Sequence, residues 1–421
     1  MNIFASDVYN QTQVGLNGGV NPSTPKEIRF NPQLDTVLNT DAYEKVTRND
    51  VQVGAALRLL KDSSAITTLT LFRSANLREY RDEENRPNPN GIFVRQDHRS
   101  RWYGAKLSHQ MVIAGSPVDV GAEVQSRGVV ADNVIGQHLN TSLSAYGTAE
   151  FQLSPAVTLT PSSRLDNYLH HTDLSYGGDA RFLPTSWFAL FAGYSRSFRY
   201  PTPQEIYDTV NSPRLSRGGD FPEEHHLVEA GFTLSDQHRR ELTVKYFHRQ
   251  IVDPVDLNPD EQINPDWDRI SDRKRIHEGV TMTGRLSLGS LLVEANIQNV
   301  TVTDGNQELR FLPPWSGTGG VYYRDKLFEN HLDLKTGIRG RAFSAYRASG
   351  FEQQRQISDA VTPGAESGTV ATIDLLFIAH LGDATIHFVW ENFLDRQYVM
   401  TYLYPMPDRA IRFGLSWEFT D

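Results

Sequence analysis

The sequence predicts an all-β protein: a transmembrane antiparallel up-and-down β-barrel of about 18 strands, forming a single domain over residues 1–421. Three observations support this prediction. Apolar and polar residues alternate along many segments, short connections alternate with long ones, and no apolar run reaches the length of a membrane-spanning helix.

The last segment, 409–419, shows the alternation most clearly. Successive side chains leave opposite faces of a strand, so one face of this segment is apolar and the other carries Arg412, Ser416 and Glu418. We expect the apolar row to face lipid, the polar row to face a wet lumen, and the terminal aromatic residues to join an interfacial girdle. This C-terminal membrane signature contains Phe413, Leu415, Trp417 and Phe419.

The connections predict the strand number. Eight short links, near residues 60, 113, 153, 183, 234, 288, 325 and 381, imply sixteen strands in hairpins. The final segment and a strand within the first 16 residues make eighteen. Long polar stretches lie between the hairpins, apart from a short link near 170–172, which fits a barrel with short periplasmic turns and long extracellular loops. A soluble propeller is disfavoured because no repeat of about 40 residues is visible.

Composition excludes several classes of protein. The chain has no cysteine, which rules out disulfides and thiolate chemistry, and its net charge of −10 with no basic block argues against a nucleic-acid partner. The first residues lack a basic start followed by an apolar stretch, so we expect a mature or truncated sequence, or else a cytoplasmic protein.

Two blocks resemble TonB-dependent outer-membrane receptors. The mid-chain block, 187–208, ends a strand in Ser-x-x-Phe-Arg-x-Pro and continues with Glu-Ile-Tyr; the C-terminal block spans 390–419. The residues that carry the resemblance are Ser195, Phe198, Arg199, Pro201, Glu205, Ile206 and Tyr207, then Asn392, Phe393, Leu394, Asp395, Tyr398, Tyr404, Pro405, Pro407, Arg409 and Phe419.

The resemblance implies a receptor and transporter for scarce solutes, such as ferric siderophores or cobalamin, in the bacterial outer membrane. It implies outer-membrane lipid, the barrel-assembly machinery and a small-molecule or metal-chelate ligand as partners. The family's plug domain is not visible, so energy coupling through TonB is expected only if a plug lies upstream. Family barrels have about 22 strands, so the chain is either a smaller closed barrel or part of a larger one. A plugless passive pore for small hydrophilic solutes is the alternative function.

The candidate ligand-binding residues lie at the expected outer mouth. Aromatic and arginine side chains suit an anionic, flat or chelated ligand, which favours Arg199, Tyr200, Tyr207 and Tyr402. The alternatives are a structural role for 198–207 and, for Tyr402, anchoring at the outer headgroup level.

The remaining motifs are weaker. Asp256, Asn258 and Asp260 are spaced to hold calcium, but Glu261 and Trp267 stand where an EF-hand loop has its glycine and closing glutamate, so an acidic, solvated outer loop is the favoured interpretation. Adjacent histidines at 170–171 and 225–226 would point to opposite faces of a strand, so neither pair can chelate a metal through both rings without a bend, and lumen or rim histidines are the favoured interpretation. No Gly-x-Ser-x-Gly motif or phosphate-binding loop is present, so we expect neither an enzyme nor a cofactor other than loop calcium.

Overall fold

The computed structural model describes most of the chain as β-strands. The described residues are 2–15, 43–58, 65–81, 95–131, 136–207, 221–236, 239–257, 267–269, 273–348, 350–352, 357–359, 366–401 and 404–417. Within them lies one short helix, α1 (Pro203–Tyr207). No helix in these ranges is long and apolar enough to cross a membrane. The strands are β1 (Asn2–Gly15), β2 (Tyr43–Leu57), β3 (Ile66–Arg81), β4 (Arg95–Ile113), β5 (Ser116–Ala131), β6 (Gly136–Ala149), β7 (Phe151–Ser154), β8 (Val157–Tyr168), β9 (His171–Thr185), β10 (Phe188–Arg199), β11 (Glu223–Ser235), β12 (Arg240–Val252), β13 (Val255–Leu257), β14 (Trp267–Arg269), β15 (Lys274–Leu288), β16 (Leu291–Asp304), β17 (Gln307–Leu309), β18 (Trp315–Leu327), β19 (Leu332–Phe343), β20 (Tyr346–Arg347), β21 (Gly350–Glu352), β22 (Ile357–Asp359), β23 (Glu366–Ser367), β24 (Val370–Leu381), β25 (Ala384–Glu391), β26 (Val399–Thr401), β27 (Tyr404–Pro405) and β28 (Ala410–Trp417).

A single antiparallel sheet contains 20 of these strands. Two of the 20, β7 and β17, have only four and three residues, which leaves the eighteen main strands that the sequence predicts. Each main strand pairs with the next one along the chain, from β1–β2 through to β25–β28. The up-and-down connectivity is therefore confirmed.

Most short turns gather at one end of the sheet and the long connections lie at the other, where the two-residue turn 169–170 between β8 and β9 is an exception. Strands β4 and β5, β15 and β16, and β24 and β25 are joined by two-residue turns at 114–115, 289–290 and 382–383. Gly289 and Gly382 have φ values of 58° and 57°, a left-handed conformation that glycine adopts without a steric penalty. We call the two ends the short-turn end and the long-loop end.

The two faces of the sheet differ in chemistry. Large apolar side chains are exposed along one face, which we call the apolar face; for example, Leu71 is 52%, Leu143 58% and Phe413 70% exposed. The opposite, polar face carries ion pairs such as Lys335–Glu294 and Lys245–Glu229. An exposed apolar surface that extends over nearly all of the main strands is far larger than a soluble monomer shows, so this face requires an apolar environment.

The two outermost strands of the sheet are β1 and β28. Within the described strands, β1 pairs with β2 alone and β28 pairs with β25 alone. Closure of the barrel by this chain therefore stays a prediction. Exposed strand edges in hydrocarbon would leave backbone groups without partners, at a cost of several kcal/mol each.

Adjacent residues of β15 allow a direct test of the two faces. Met282 lies on the exposed apolar face, and Thr283 is exposed on the polar face. We expect Met282→Arg to lower the free energy of unfolding in a bilayer by about 2–4 kcal/mol, because a guanidinium near the middle of the apolar band is poorly solvated. Thr283→Arg should cost much less. Denaturant titration in lipid vesicles, followed by tryptophan fluorescence, measures both; equal losses would contradict this assignment of the faces.

Candidate functional site

The candidate site lies at the long-loop end of the polar face, where β10 and β11 meet α1. Its residues, which we call the mouth cluster, are Arg199, Tyr200, Glu205, Tyr207 and Glu223. The cluster contains three of the four residues that the sequence predicts to bind a ligand. The fourth, Tyr402, lies outside the described residues.

The short helix α1 forms after β10 because two reciprocal hydrogen bonds stabilise its first turn. Thr202 precedes Pro203, a residue whose fixed φ suits the first helical position. The Thr202 hydroxyl accepts a hydrogen bond from the Glu205 amide at 3.3 Å, and the Glu205 carboxylate accepts one from the Thr202 amide at 2.6 Å. This reciprocal arrangement is a capping box, so Thr-Pro-Gln-Glu specifies a helix start after β10.

Arg199 holds the helix to the sheet. Its Nη1 donates to both carboxylate oxygens of Glu205, at 3.1 and 3.0 Å, while its Nε donates to Glu223. Glu223 is buried and also accepts a 2.6 Å hydrogen bond from the Val255 amide. One guanidinium therefore connects β10, α1 and β11, and through Glu223 it reaches β13. Charge-assisted hydrogen bonds of this kind are among the stronger polar interactions in proteins.

The two tyrosines fix the flanks of the cluster. The Tyr200 hydroxyl donates to Asp173 at 2.8 Å, and the Tyr207 hydroxyl donates to the Asn140 side chain at 3.3 Å. The Tyr207 ring also stacks on His138, with ring centroids 3.5 Å apart. Burial raises the pKa of the Tyr200 phenol, and the hydrogen bond to Asp173 raises it further. The phenol therefore remains a hydrogen-bond donor at neutral pH.

These contacts favour the structural role for 198–207. Arg199, Tyr200 and Tyr207 each have partners within the protein, as a strand-to-loop anchor requires. Ligand contact by the three residues stays a prediction.

An exposed pair beside the cluster was missed in the sequence. Trp102 on β4 lies opposite Arg127 on β5, and Arg127 lies opposite Asn140 on β6. The Arg127 guanidinium lies 5.1 Å from the centre of the Trp102 ring, and the indole nitrogen donates to Gln125 at 2.7 Å. Trp102 is 42% exposed. The sequence did contain an indication of this pair: Trp102 occupies a position of β4 whose alternation assigns it to the polar face, where a large aromatic side chain is unusual.

Of the three predicted calcium ligands, only Asp256 lies within the described residues. Asp256 lies in β13, with its backbone paired to Asp268 of β14, while Asn258 and Asp260 fall outside the described residues. The described part of the chain contains no group of three histidine or acidic side chains placed to hold a metal ion. Calcium binding by these loop residues stays a prediction.

The predicted membrane signature lies on the apolar face of β28. Phe413 is 70% exposed, and Leu415 and Trp417 are each 59% exposed. Phe419 lies outside the described residues. The adjacent histidines 225 and 226 point to opposite faces of β11, as predicted: His225 contacts Glu223 at 3.1 Å, and His226 contacts Glu224 on the other face at 2.8 Å. His170 lies in the turn before β9 and not on a strand.

Comparison with known proteins identifies the family. Residues 3–375 match the model of the TonB-dependent receptor-like β-barrel. The mid-chain block lies inside this span, whereas the C-terminal block lies beyond it. No curated protein sequence matches the chain.

Several solved structures share the fold. The FrpB iron transporter from Neisseria meningitidis (F5-1 variant) has a TM-score of 0.75 and 14% identity, over 99% of this chain and 70% of that one. The ferric-catecholate import receptor Fiu from E. coli K12 has a TM-score of 0.69 and 14% identity, over 99% and 72%. The ferric citrate transporter FecA, in its unliganded form, has a TM-score of 0.70 and 14% identity, over 98% and 65%.

The family model spans most of the chain, and the sheet has the family's antiparallel connectivity. The apolar face is accordingly the lipid-facing surface and the polar face the lumenal wall, with the long-loop end outside the cell. The chain belongs to the TonB-dependent receptor β-barrel family, whose barrels lie in the outer membrane of Gram-negative bacteria.

Proposed function

We propose that the chain forms the barrel of an outer-membrane receptor that takes up an anionic metal chelate, with ferric siderophores as the ligand class. Family membership supports a receptor, and three proteins of similar fold are named for iron or ferric ligands. The family consists of receptors and transporters, so we propose no catalysis. Energy coupling through TonB belongs to the proposal only where a plug domain accompanies the barrel.

The observation that carries the proposed ligand class is the exposed Arg127–Trp102 pair. The mouth cluster is engaged internally, but this pair presents a cation and an aromatic face to the lumen just beside it. A guanidinium can pair with an anionic chelate, and the indole can stack on a flat ligand. The hydrogen bond from Trp102 to Gln125 fixes the orientation of the ring, which lowers the entropy lost on binding.

We expect Arg127→Gln and Trp102→Ala each to weaken binding of a ferric siderophore about tenfold, the loss produced by about 1.4 kcal/mol. The measurement is titration of the purified protein with a panel of ferric catecholate, hydroxamate and citrate chelates, followed by calorimetry. Arg324→Gln is the matched control, because Arg324 lies on the same face near the short-turn end, where it pairs with Asp333.

Unchanged affinity in both variants would remove the pair from the ligand site. If no chelate binds and planar-bilayer recording shows a large steady conductance, the passive pore replaces the receptor as the function.

A further inference from the structure

A cleft lies between two of the outer connections at the long-loop end, and we call it the outer cleft. One wall is β17 with the two residues that follow it, and the other is β20 with Ala345. Strands β6 to β15 separate this part of the sheet from the Arg127–Trp102 pair. The outer cleft has a volume of about 300 Å³, at the lower end of the range for ligand sites. It therefore suits a small molecule and not a complete ferric siderophore.

Both walls of the outer cleft are held in place by contacts within the protein. The Arg347 amide donates to the Arg310 carbonyl at 2.7 Å, which joins the two walls directly. Strand β17 pairs with the end of β16. Tyr346 is 6% exposed, and its hydroxyl donates to the Val399 carbonyl at 3.3 Å, which fixes β20. The cleft is thus formed without a ligand, and this limits the entropy lost on binding.

The charges of the lining favour an anion. Two guanidinium groups and one carboxylate line the outer cleft. Arg310 donates to Glu308 at 3.2 Å, so these two charges balance each other. Arg347 is exposed and makes no ion pair within the part of the chain that the structure describes. One cation is left in excess, and the planar fork of a guanidinium matches the two oxygens of a carboxylate.

The uncharged part of the lining favours a planar ligand. Leu309, Phe311 and Ala345 form an apolar surface beside the charged groups. Phe311 is half-buried, and an aromatic ring packs well against the ring of a flat ligand. We propose that the outer cleft binds a small planar carboxylate, of the aromatic acid class, at the cell surface. The site is separate from the lumenal chelate site and does not depend on the proposed function.

A pair of ligands that differ only in charge tests the site on the unaltered protein. Benzoate and benzamide have the same ring and nearly the same shape, but only benzoate carries a charge. We expect benzoate to bind the purified, detergent-solubilised protein at least about tenfold more tightly, measured by saturation-transfer NMR titration. Cyclohexanecarboxylate keeps the charge without the aromatic face and should bind about threefold more weakly than benzoate. Equal affinity for benzoate and benzamide would overturn the proposal.

Variants locate the bound carboxylate. Arg347→Gln should weaken benzoate binding about tenfold, and Arg347→Lys should keep part of the affinity. Arg324→Gln, near the short-turn end, is the matched control and should leave benzoate binding unchanged. Unchanged binding by a folded Arg347→Gln variant would overturn the proposal. The comparison of benzoate with benzamide needs no variant, so it decides the question even if Arg347→Gln does not fold.

Two cross-checks separate the outer cleft from the lumenal site. Arg127→Gln should leave benzoate affinity unchanged, and Arg347→Gln should leave ferric siderophore affinity unchanged. Loss of benzoate binding in Arg127→Gln would place the carboxylate in the lumen and overturn the proposal. Failure of every ferric chelate to bind would remove the proposed function but would leave benzoate binding at the outer cleft as expected.

Discussion

Replacing Asp374 with alanine should lower the free energy of unfolding by about 3 kcal/mol. The Asp374 side chain is 1% exposed and accepts hydrogen bonds from Arg339 at 2.8 Å, from Arg341 at 3.0 Å and from the Asn392 amide at 2.9 Å. Its removal leaves two lumenal guanidinium groups and one backbone N–H without their acceptor. Loss of one partner of a buried pair costs about 3–5 kcal/mol; we expect the lower value, because both arginines are about one-third exposed and lumenal water can solvate them.

Two further variants separate charge from hydrogen bonding at this position. Asp374→Asn keeps an acceptor for the Asn392 amide and should cost less than Asp374→Ala. Asp333→Ala removes a carboxylate from an exposed pair on β19, where Arg324 lies 3.3 Å away, and should cost at most about 1 kcal/mol. Denaturant titration in lipid vesicles measures all three variants. If Asp333→Ala and Asp374→Ala lower the free energy of unfolding equally, the buried contacts of Asp374 contribute no more to stability than an exposed ion pair does.

The strand pattern could be predicted from local sequence because it depends on a period of two. Strand β28 illustrates this: Ile411, Phe413, Leu415 and Trp417 lie on the apolar face as their alternation predicts. The face on which a side chain lies follows from its odd or even position along the strand, and the connectivity of the strands follows from the lengths of the turns. Neither requires knowledge of which residues become neighbours across the sheet.

Contacts across the sheet could not be predicted in the same way. The link between Asp374 and Asn392 depends on the β24–β25 register, and the link between Arg199 and Glu223 depends on the β10–β11 register. Alternation places these side chains on the lumenal face but does not say which partner each one meets. Trp102 was missed for a related reason: only the register places it opposite Arg127 and beside the mouth cluster.

The internal contacts of Arg199 lead to the second large effect. Arg199→Ala should lower the free energy of unfolding by about 3 kcal/mol, because Glu205 and Glu223 are both buried and would lose their shared cation. It should also release α1 from the sheet. Hydrogen exchange reports this release directly at the Ile206 amide, which donates to the Thr202 carbonyl at 3.1 Å. Arg199→Lys should recover only part of the loss, since a single ammonium cannot reproduce the forked contacts.

Arg196→Ala is the matched control for the second prediction. Arg196 lies three residues earlier on β10, pairs with Glu224 at 2.5 Å and is 30% exposed on the other face, so it should leave the Ile206 amide protected. If Arg199 anchors the mouth, Arg199→Ala will speed exchange at Ile206 and destabilise the protein even without any ligand. If Arg199 instead acts by binding the chelate, exchange and stability will be unchanged while siderophore affinity falls. The two readouts therefore separate the structural role from the ligand-binding role predicted from the sequence.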